Sequence, residues 1–331
     1  MYFIERAKNI ISKSGNLIFI NPIAYICQDS GKGLREFIDK NLTLLQMVNV
    51  SNVKVFNSAS AYTCVNYFAH KNDKCKEIVF GEADKKDLSD IKLRKIKQTK
   101  IENISTLLDS ITTKISNAKY PQLNEFCDIF CGLSKTGFRQ SVSNRKTTKN
   151  RAFLEASDIL RYEFKCGKFL NQIPTYYSQE KIKIFEKSEI IFMARMTNFI
   201  RCCIAPKGYF GGKVNILHNF KIDKRYILGI LNSKLMSYFY AKKYFASHMQ
   251  GGAFGFDTLS VGSLPIPKLN AKNQKIADEI INLVDKILET KAKDSQSDTD
   301  ALESQIDKLI YKLYELNSHE IQIIKSNNLL N

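Results

Sequence analysis

The sequence predicts three successive parts: an α/β segment, a mixed β-rich domain and a C-terminal helical hairpin. Apolar helices and strands alternate over residues 1–70, which is typical of α/β units. Farther along the chain, short apolar strands are separated by basic loops, and the last part has apolar residues at three- and four-residue steps. With 331 residues the chain can form two domains and a large core. The predicted boundaries are 1–70 for the α/β domain, 71–118 for a linker, 119–269 for the β-rich domain and 270–331 for the hairpin.

The composition is strongly basic. There are 50 Lys and Arg residues against 33 Asp and Glu, a formal net charge of +17. Such an excess favours a partner with dense negative charge, nucleic acid before a membrane surface. The alternative is a Lys-rich codon usage without functional meaning.

No targeting or membrane segment is evident. No apolar run approaches the ~20 residues of a membrane helix. Glu5, Arg6 and Lys8 interrupt the first apolar stretch, so it does not resemble a signal peptide. The eight cysteines have no C-x-x-C spacing and the four histidines are scattered, which disfavours a zinc site. We therefore expect a cytoplasmic protein with reduced thiols.

The first 70 residues predict helices and strands in alternation. Helical spacing from Phe3 to Ile11 precedes an apolar strand at 16–20, and a Gly-Lys-Gly turn precedes a helix that contains Leu34, Phe37 and Ile38. Further strands are predicted at 44–50 and 61–68. The alternation favours a parallel sheet with helices on its faces. This segment is too short to be a whole sheet of that kind.

Residues 71–118 are polar, charged and poorly periodic. A short strand is predicted at 77–80 and a helix at 104–115. Beyond them the stretch has the composition of a connector.

Strands and basic loops dominate from residue 119. Between Cys131 and Asn215 there are 16 Lys or Arg against 6 Asp or Glu. The stretch SNRKTTKN, residues 143–150, contains no apolar residue, which predicts an exposed basic loop. Strands are predicted at 189–194, 202–205 and 213–217.

A distinctive stretch runs from Arg225 to Leu269. It opens with helical spacing, continues with lysines among tyrosines and phenylalanines, and ends in a Gly-rich turn and Leu-Pro-Ile-Pro. Mixed basic and aromatic side chains suit nucleic acid, a polyanion with flat rings. The alternative is an amphipathic helix with core aromatics and solvated lysines. Two helices, at 273–291 and 302–316, follow as the hairpin.

The order of these features resembles the TaqI-like specificity domain, the target-recognition module of gamma-class adenine-N6 DNA methyltransferases and of restriction enzymes fused to them. Type I specificity subunits have a similar pattern. The tail IDKLIYKLYEL, residues 306–316, resembles the tail of type II restriction-methylation proteins.

The N-terminal residues resemble the back half of the methyltransferase catalytic domain. The matching motifs are GNLIFINP at 15–22, LREF at 34–37 and Val55-Phe56. The resemblance implies an incomplete Rossmann-like methyltransferase sheet. Asn21-Pro22-Ile23-Ala24-Tyr25 imitates the family's N-P-P-Y motif but lacks the second proline, and we interpret it as the end of a strand.

The resemblance implies methyl transfer from S-adenosylmethionine to adenine N6 in the complete family enzyme. The Gly-rich cofactor turn and N-P-P-Y are missing from this sequence. We therefore expect no cofactor binding and no methyl transfer by this chain alone, because the gene is truncated or a separate chain carries the catalytic half. Phe56 matches the family residue that stacks on the flipped-out adenine; the alternative is an ordinary core residue.

The predicted partner is double-stranded DNA, bound by the target-recognition portion of an adenine-specific restriction-modification enzyme. Lys and Arg side chains would bind phosphates, and some would reach base edges. The alternatives are a type I-like specificity subunit and an RNA-binding or scaffold protein. For each candidate cation, the alternative is a solvated surface charge. The candidates for the DNA-binding face are Arg139, Arg145, Lys146, Lys149, Arg195, Arg201, Lys242 and Lys243.

Overall fold

The structure is a computed structural model. It describes residues 2–51, 53, 55–56, 62–83, 88, 91–133, 138–187, 189–247 and 253–327, without the side chains of 138, 139 and 187. The chain divides into two compact units. The N-terminal unit comprises residues 1–114 and 242–252, and the C-terminal unit comprises 115–241 and 253–331.

The N-terminal unit contains five strands and short helices. Its strands are β1 (Asn16–Pro22), β2 (Leu42–Asn49), β3 (Thr63–His70), β4 (Glu77–Ala83) and β5 (Ile91–Lys97). The helices in this part of the chain are α1 (Tyr2–Ile10), α2 (Lys32–Asn41), α3 (Ile104–Leu107) and α4 (Ser110–Asn117), the last of which runs across the unit boundary.

The five strands form one sheet in the order β1-β3-β2-β4-β5. The expected parallel arrangement is wrong, because three of the four neighbouring pairs are antiparallel. Only β2 and β4 pair in parallel, and they are separated in the sequence by β3. Parallel pairing needs a long crossover connection, whereas strands that follow one another closely pair antiparallel.

The predicted connector contributes two strands to this sheet. The strand expected at 77–80 is present and extends to Ala83 as β4. The strand β5 was not predicted, because Ile96 is its one buried residue and its sequence IKLRKIK is otherwise charged or exposed. The helix expected at 104–115 is divided into α3 and α4, where Asp109 accepts a hydrogen bond from the Thr112 amide.

The core of the N-terminal unit joins α1, α2 and the sheet. Ile4, Leu17, Ile38, Met47 and Phe68 are among its buried members. The interpretation of Asn21–Tyr25 as a strand end is confirmed, since β1 ends at Pro22 and a 3-10 turn follows. In that turn the buried Tyr25 hydroxyl donates to the Asn66 side chain, so it faces the interior.

The C-terminal unit is rich in short strands and ends in helices. Its strands are β6 (Asp128–Cys131), β7 (Val142–Ser143), β8 (Arg151–Glu155), β9 (Lys168–Leu170), β10 (Ile190–Ala194), β11 (Met196–Thr197), β12 (Cys202–Ala205), β13 (Phe210–Gly212), β14 (Val214–His218) and β15 (Phe254–Gly255). Its helices are α5 (Gln179–Lys187), α6 (Lys224–Leu231), α7 (Lys234–Lys243), α8 (Thr258–Gly262), α9 (Gln274–Lys293), α10 (Asp300–Leu313) and α11 (Ser318–Lys325); the last two residues of α7 belong to the N-terminal unit.

Two four-stranded sheets form the scaffold of this unit. One has the order β12-β10-β14-β6 with antiparallel neighbours throughout. The other has the order β13-β8-β9-β7, in which β13 and β8 are parallel. The strands predicted at 189–194, 202–205 and 213–217 are confirmed as β10, β12 and β14 to within one residue.

The helical spacing that opens the distinctive stretch folds as two helices, α6 and α7, rather than one. Asn232 separates α6 from α7, and its side chain exchanges two hydrogen bonds with the backbone of Cys202. The aromatic residues Tyr238, Phe239 and Tyr240 are fully buried. The alternative of core aromatics is therefore confirmed for them, because α7 is buried over most of its circumference.

The helical hairpin is confirmed as α9 and α10. Helix α6 packs closely on α9, since a Cβ atom at Gly229 would lie 2.7 Å from a methyl carbon of Ile280. The backbone of the Leu-Pro-Ile-Pro segment, residues 264–267, accepts hydrogen bonds from two tyrosine hydroxyls. The hydroxyl of Tyr314 donates to the Pro265 carbonyl at 2.6 Å, and that of Tyr226 donates to the Pro267 carbonyl at 3.0 Å.

Candidate nucleic-acid interface

The basic loop, residues 143–150, connects β7 to β8 and has an ordered backbone. The Asn150 side chain donates to the Arg145 carbonyl at 2.8 Å and accepts from the Thr147 amide at 2.9 Å. Asn171, on the neighbouring connection, accepts from Asn150 and from the Ser143 hydroxyl. Asparagine side chains that hydrogen-bond nearby backbone groups hold a loop in one conformation.

The charged side chains of the basic loop take no part in the hydrogen bonds that hold its backbone. Arg145, Lys146 and Lys149 are exposed. Among the described residues none of the three forms an ion pair, unlike the nearby Arg151, which contacts Glu186. The prediction of an exposed basic loop is confirmed. Three exposed charges on a hydrogen-bonded backbone can bind phosphates.

Arg195 follows β10 and is held by protein groups. Its Nε donates to the Phe256 carbonyl at 3.3 Å, and its Nη1 lies 2.7 Å from the Cys131 sulfur. The Phe256 amide in turn donates to the Arg195 carbonyl at 2.9 Å. The Asn215 amide group, fully buried, also donates to the Phe256 carbonyl at 2.9 Å. Arg195 and Asn215 therefore share one acceptor and fix the position of Phe256.

The segment around Phe256, residues 253–257, is anchored from a second side. The Tyr240 hydroxyl donates to the Gly255 carbonyl at 2.7 Å. The ring of Tyr240 packs on that of Phe256 with 4.4 Å between centroids. Asp257 caps α8 by accepting from the amides of Leu259 and Ser260. We call residues 253–257 the anchored turn, because the side chains of Arg195, Asn215 on β14 and Tyr240 on α7 donate hydrogen bonds to its carbonyl groups.

Arg201 lies just before β12. Its guanidinium stands over the ring of Phe199, 4.7 Å from the centroid. The Arg201 carbonyl accepts from the Ala194 amide, and the Ile200 amide donates to the Ser237 hydroxyl. The backbone from 195 to 201 is thus tied to the scaffold at both ends, as expected for residues that border strands.

Lys242 and Lys243 belong to the N-terminal unit, whereas the loop cations, Arg195 and Arg201 belong to the C-terminal unit. Burial lowers the pKa of Lys243, and its ammonium group lies 5.6 Å from the centre of the Tyr244 ring. A half-buried ammonium over an aromatic ring is a packed group rather than a surface cation. The side chain of Arg139 lies outside the described residues.

Phe56, the predicted base-stacking residue, is 42% exposed and lies in the N-terminal unit. It is not part of the hydrophobic core of this unit. The alternative of an ordinary core residue is therefore disfavoured. Several of its neighbours lie outside the described residues, and its stacking role stays a prediction.

The sequence analysis missed the partners of Arg195. Cys131 and Asn215 lie opposite each other because β6 and β14 are paired. Phe256 is brought to Arg195 by the pairing of β11 with β15. A polar Asn in an otherwise apolar strand, VNILH, is the one signal in the sequence that could have indicated such a role.

Two segments match known protein families. Residues 1–56 match the Eco57I restriction-modification methylase family, and residues 151–266 match the TaqI-like C-terminal specificity domain. The chain is thus similar to restriction-modification methylases over its N-terminal segment and to a specificity domain over part of its C-terminal unit. The resemblance predicted from the sequence is confirmed. The second match includes Arg195, Arg201 and the anchored turn, and begins just after the basic loop.

Two curated relatives are similar to this chain. The type II restriction enzyme and methyltransferase RM.Eco57I of Escherichia coli is 34% identical over 70 residues, which are 21% of this chain and 7% of that protein. The putative type II restriction enzyme and methyltransferase RM.MjaORFECS2P of Methanocaldococcus jannaschii is 25% identical over 340 residues, 94% of this chain and 28% of that protein. The chain spans less than a third of the length of either relative.

Two solved structures share the fold. The Type IIL restriction-modification enzyme MmeI, in complex with DNA, superimposes with a TM-score of 0.57 at 10% identity, over 98% of this chain and 51% of the MmeI chain. A nuclease-deletion mutant of the Type ISP restriction-modification enzyme LlaGI, in complex with a DNA substrate mimic, gives a TM-score of 0.51 at 12% identity, over 87% of this chain and 36% of that chain. None of the helices described here is long and apolar enough to cross a membrane.

Proposed function

We propose that this chain is the DNA-recognition part of a restriction-modification methylase and binds duplex DNA through its C-terminal unit. The observation that carries the proposal is the match of residues 151–266 to a specificity domain. The charge balance supports this proposal, because the segment between Cys131 and Asn215 contains 16 basic and 6 acidic residues. Such an excess supplies the phosphate contacts that dominate affinity for DNA.

The two kinds of basic site suit two tasks. The exposed cations of the basic loop are placed to bind phosphates, which carry no sequence information. The segment 195–201 and the anchored turn are held rigidly, and rigid groups are needed to contact base edges in the major groove. Phosphate binding by the loop and base recognition beside Arg195 would together give a specific complex.

Methyl transfer is assigned to the rest of the enzyme. The relatives named above are methyltransferases. We propose that S-adenosylmethionine is bound by the catalytic half of the complete enzyme, and that Phe56 contributes to the adenine site there. This proposal retains the predicted target-recognition domain, residues 119–269, and the hairpin, residues 270–331. Residues 77–97 of the predicted linker are instead counted with the methylase-like sheet, because they contain β4 and β5.

An RNA-binding role has less support. Single-stranded RNA is usually bound by exposed aromatic side chains that stack on bases. In the described part of the chain, Tyr238, Phe239 and Tyr240 of the aromatic run are buried and cannot stack on a ligand.

Selection from a random duplex library tests the proposal. The whole chain is incubated with duplexes containing a randomised segment, and bound molecules are amplified and sequenced over several rounds. A defined sequence should be enriched, and single-stranded RNA of equal length should compete weakly. A pool that stays random, or equal competition by RNA, would contradict sequence-specific DNA recognition.

A further inference from the structure

The anchored turn supplies one strand of a small ribbon, in which β15 pairs antiparallel with β11. Its two residue pairs are Met196 with Gly255 and Thr197 with Phe254. Phe254 is buried and packs edge-on against the ring of Tyr240, with 6.2 Å between the centroids. Because successive side chains of a strand lie on opposite faces, the pair of Met196 and Gly255 forms the outer face of the ribbon.

Met196 is the one side chain on that outer face. It is 54% exposed, and the glycine opposite it has no side chain that could cover it. A glycine within a strand often marks a place where a ligand approaches the backbone closely. The ribbon therefore presents a single apolar group on a narrow, open surface.

The segment 195–201, which is tied to the scaffold at both ends, contains a second exposed side chain, Asn198. The backbone beside it is held by the Thr197 hydroxyl, which donates to the Phe199 carbonyl. The Asn198 side chain itself hydrogen-bonds none of the residues that the structure describes. A carboxamide group offers both a donor and an acceptor. Asn198 can therefore form two hydrogen bonds with a ligand.

The charges around Met196 favour duplex DNA as this ligand. Arg195 and Arg201 flank it, and neither forms an ion pair with a described carboxylate. A protein partner would need a contiguous apolar patch, whereas one apolar side chain between two cations is a small surface. The major groove of DNA admits a two-stranded ribbon, and the 5-methyl group of thymine is an apolar group on its base edges.

We propose, in an inference that rests on the function proposed above, that the ribbon of β11 and β15 enters the major groove and recognises A·T base pairs. Met196 contacts the 5-methyl group of a thymine. The amide group of Asn198 donates to N7 of an adenine, and its carbonyl oxygen accepts from the adenine amino group at N6. The two residues are at most about 7 Å apart along the chain, so the contacts fall on the same or on nearby base pairs.

Base analogues in the duplex selected from the random library test each contact separately. Deoxyuridine in place of thymidine removes the 5-methyl group, and 7-deazaadenine in place of adenine removes the N7 acceptor. Each A·T pair of the selected duplex is replaced singly by either analogue. Affinity is measured for the whole wild-type chain and for the variants Met196→Ala, Asn198→Ala and Leu93→Ala. Leu93, which is 59% exposed on β5 of the N-terminal unit, is the control for loss of an exposed apolar side chain.

The two variants should lose sensitivity to different analogues. At one position, deoxyuridine should weaken binding by wild type about fourfold, because the burial of one methyl group is lost. At the same or a nearby position, 7-deazaadenine should weaken it about fivefold or more, because a bidentate base contact is broken. Met196→Ala should respond to 7-deazaadenine alone, and Asn198→Ala to deoxyuridine alone. Leu93→Ala should respond as wild type does, and all four proteins should bind random DNA equally, which shows that they are folded.

The proposal is overturned by a selected sequence without A·T pairs, or by a response to deoxyuridine that is equal in wild type and Met196→Ala. Unchanged affinity of Met196→Ala for the selected duplex would also overturn it and would leave this side chain for a protein partner. If no sequence is selected from the library, the recognition function fails, and this inference fails with it. If a sequence is selected and the effects of both analogues are independent of Met196 and Asn198, this inference alone is wrong.

Discussion

The basic loop and the segment 195–201 of the C-terminal unit both carry arginine, but they hold it differently. In the loop, Asn150 fixes the backbone and leaves the Arg145 side chain in solvent. In the segment, the guanidinium of Arg195 is engaged by Phe256 and Cys131. In the loop, only the main chain is held by hydrogen bonds, and the charged side chains are exposed. In the segment, the guanidinium group of Arg195 is itself hydrogen-bonded to protein groups.

This difference suits the two sites to different tasks, namely binding of DNA phosphates and selection of a DNA sequence. A phosphate contact tolerates positional error, because an ammonium or guanidinium group attracts any nearby phosphate. A base contact requires donors and acceptors to be aligned. The sequence alone ranked these residues as members of one DNA-binding face; their surroundings assign them to different steps of recognition.

The largest change in DNA binding is expected when the cations of the basic loop are removed. Replacing Arg145, Lys146 and Lys149 together by Ala should flatten the log–log slope of affinity against salt by roughly two to three units, because each phosphate contact contributes about −0.9. The loss should be similar on selected and random duplexes. Fluorescence anisotropy over a salt series measures both.

The control for the loop variant removes the same charge elsewhere. Lys272, Lys275 and Lys286 are exposed lysines at or on α9. Their replacement by Ala should leave the slope nearly unchanged. Equal flattening in both variants would show that net charge, and not the loop, determines the salt dependence.

A smaller effect is expected at Arg195. Its replacement by Ala should reduce affinity for the selected duplex by about 1–3 kcal/mol and affinity for random DNA little. The salt slope should change by less than in the loop variant. Competition binding between the two duplexes gives the difference directly.

Asn215→Ala distinguishes the two ways in which Arg195 could act. Asn215 is fully buried and touches the same Phe256 carbonyl, so it can affect DNA only through the anchored turn. If this variant reproduces the loss of preference, Arg195 positions the turn. If preference survives in Asn215→Ala and is lost in Arg195→Ala, Arg195 contacts a base edge. Equal weakening on every sequence by Arg195→Ala would mean that it binds phosphate.

The smallest effect is expected for Tyr240→Phe. Loss of the hydroxyl bonded to the Gly255 carbonyl should lower the free energy of unfolding by about 0.5–1.5 kcal/mol and weaken sequence preference slightly. Tyr226→Phe is the matched control, because its hydroxyl binds the Pro267 carbonyl away from the turn. It should cost similar stability in urea unfolding and leave preference intact. A change of sequence preference in both variants would show that the effect of Tyr240→Phe does not depend on the anchored turn.

The elements with a clear apolar pattern were predictable from the sequence. Strands β10 and β14 and helices α9 and α10 appear close to their expected positions, because burial of one face imposes a regular spacing. β5 escaped prediction because it is an edge strand with one buried residue. The break between α6 and α7 was not predicted, because the helical spacing of apolar residues continues past Asn232. In the structure, the Asn232 side chain is hydrogen-bonded to Cys202 on the distant strand β12.

The candidate site was predictable in part. An exposed basic loop could be recognised from a run of eight residues without an apolar side chain. The different burial of Lys243 and Lys146 could not be predicted, because the sequence does not show whether the aromatic run around Lys243 packs into the core. In the structure Lys243 is half-buried and Lys146 is exposed.

The sequence by itself determined the positions of seven of the described strands and the excess of positive charge, because these depend on local composition and spacing. The kind of protein was indicated by the resemblance of its motifs to a known family. Tertiary structure alone decided that the sheet of the N-terminal unit is mainly antiparallel, that the aromatic residues of α7 are core, and that Arg195 and Asn215 both contact Phe256. Such features depend on contacts between residues far apart in the chain, and no local pattern specifies which distant groups will meet.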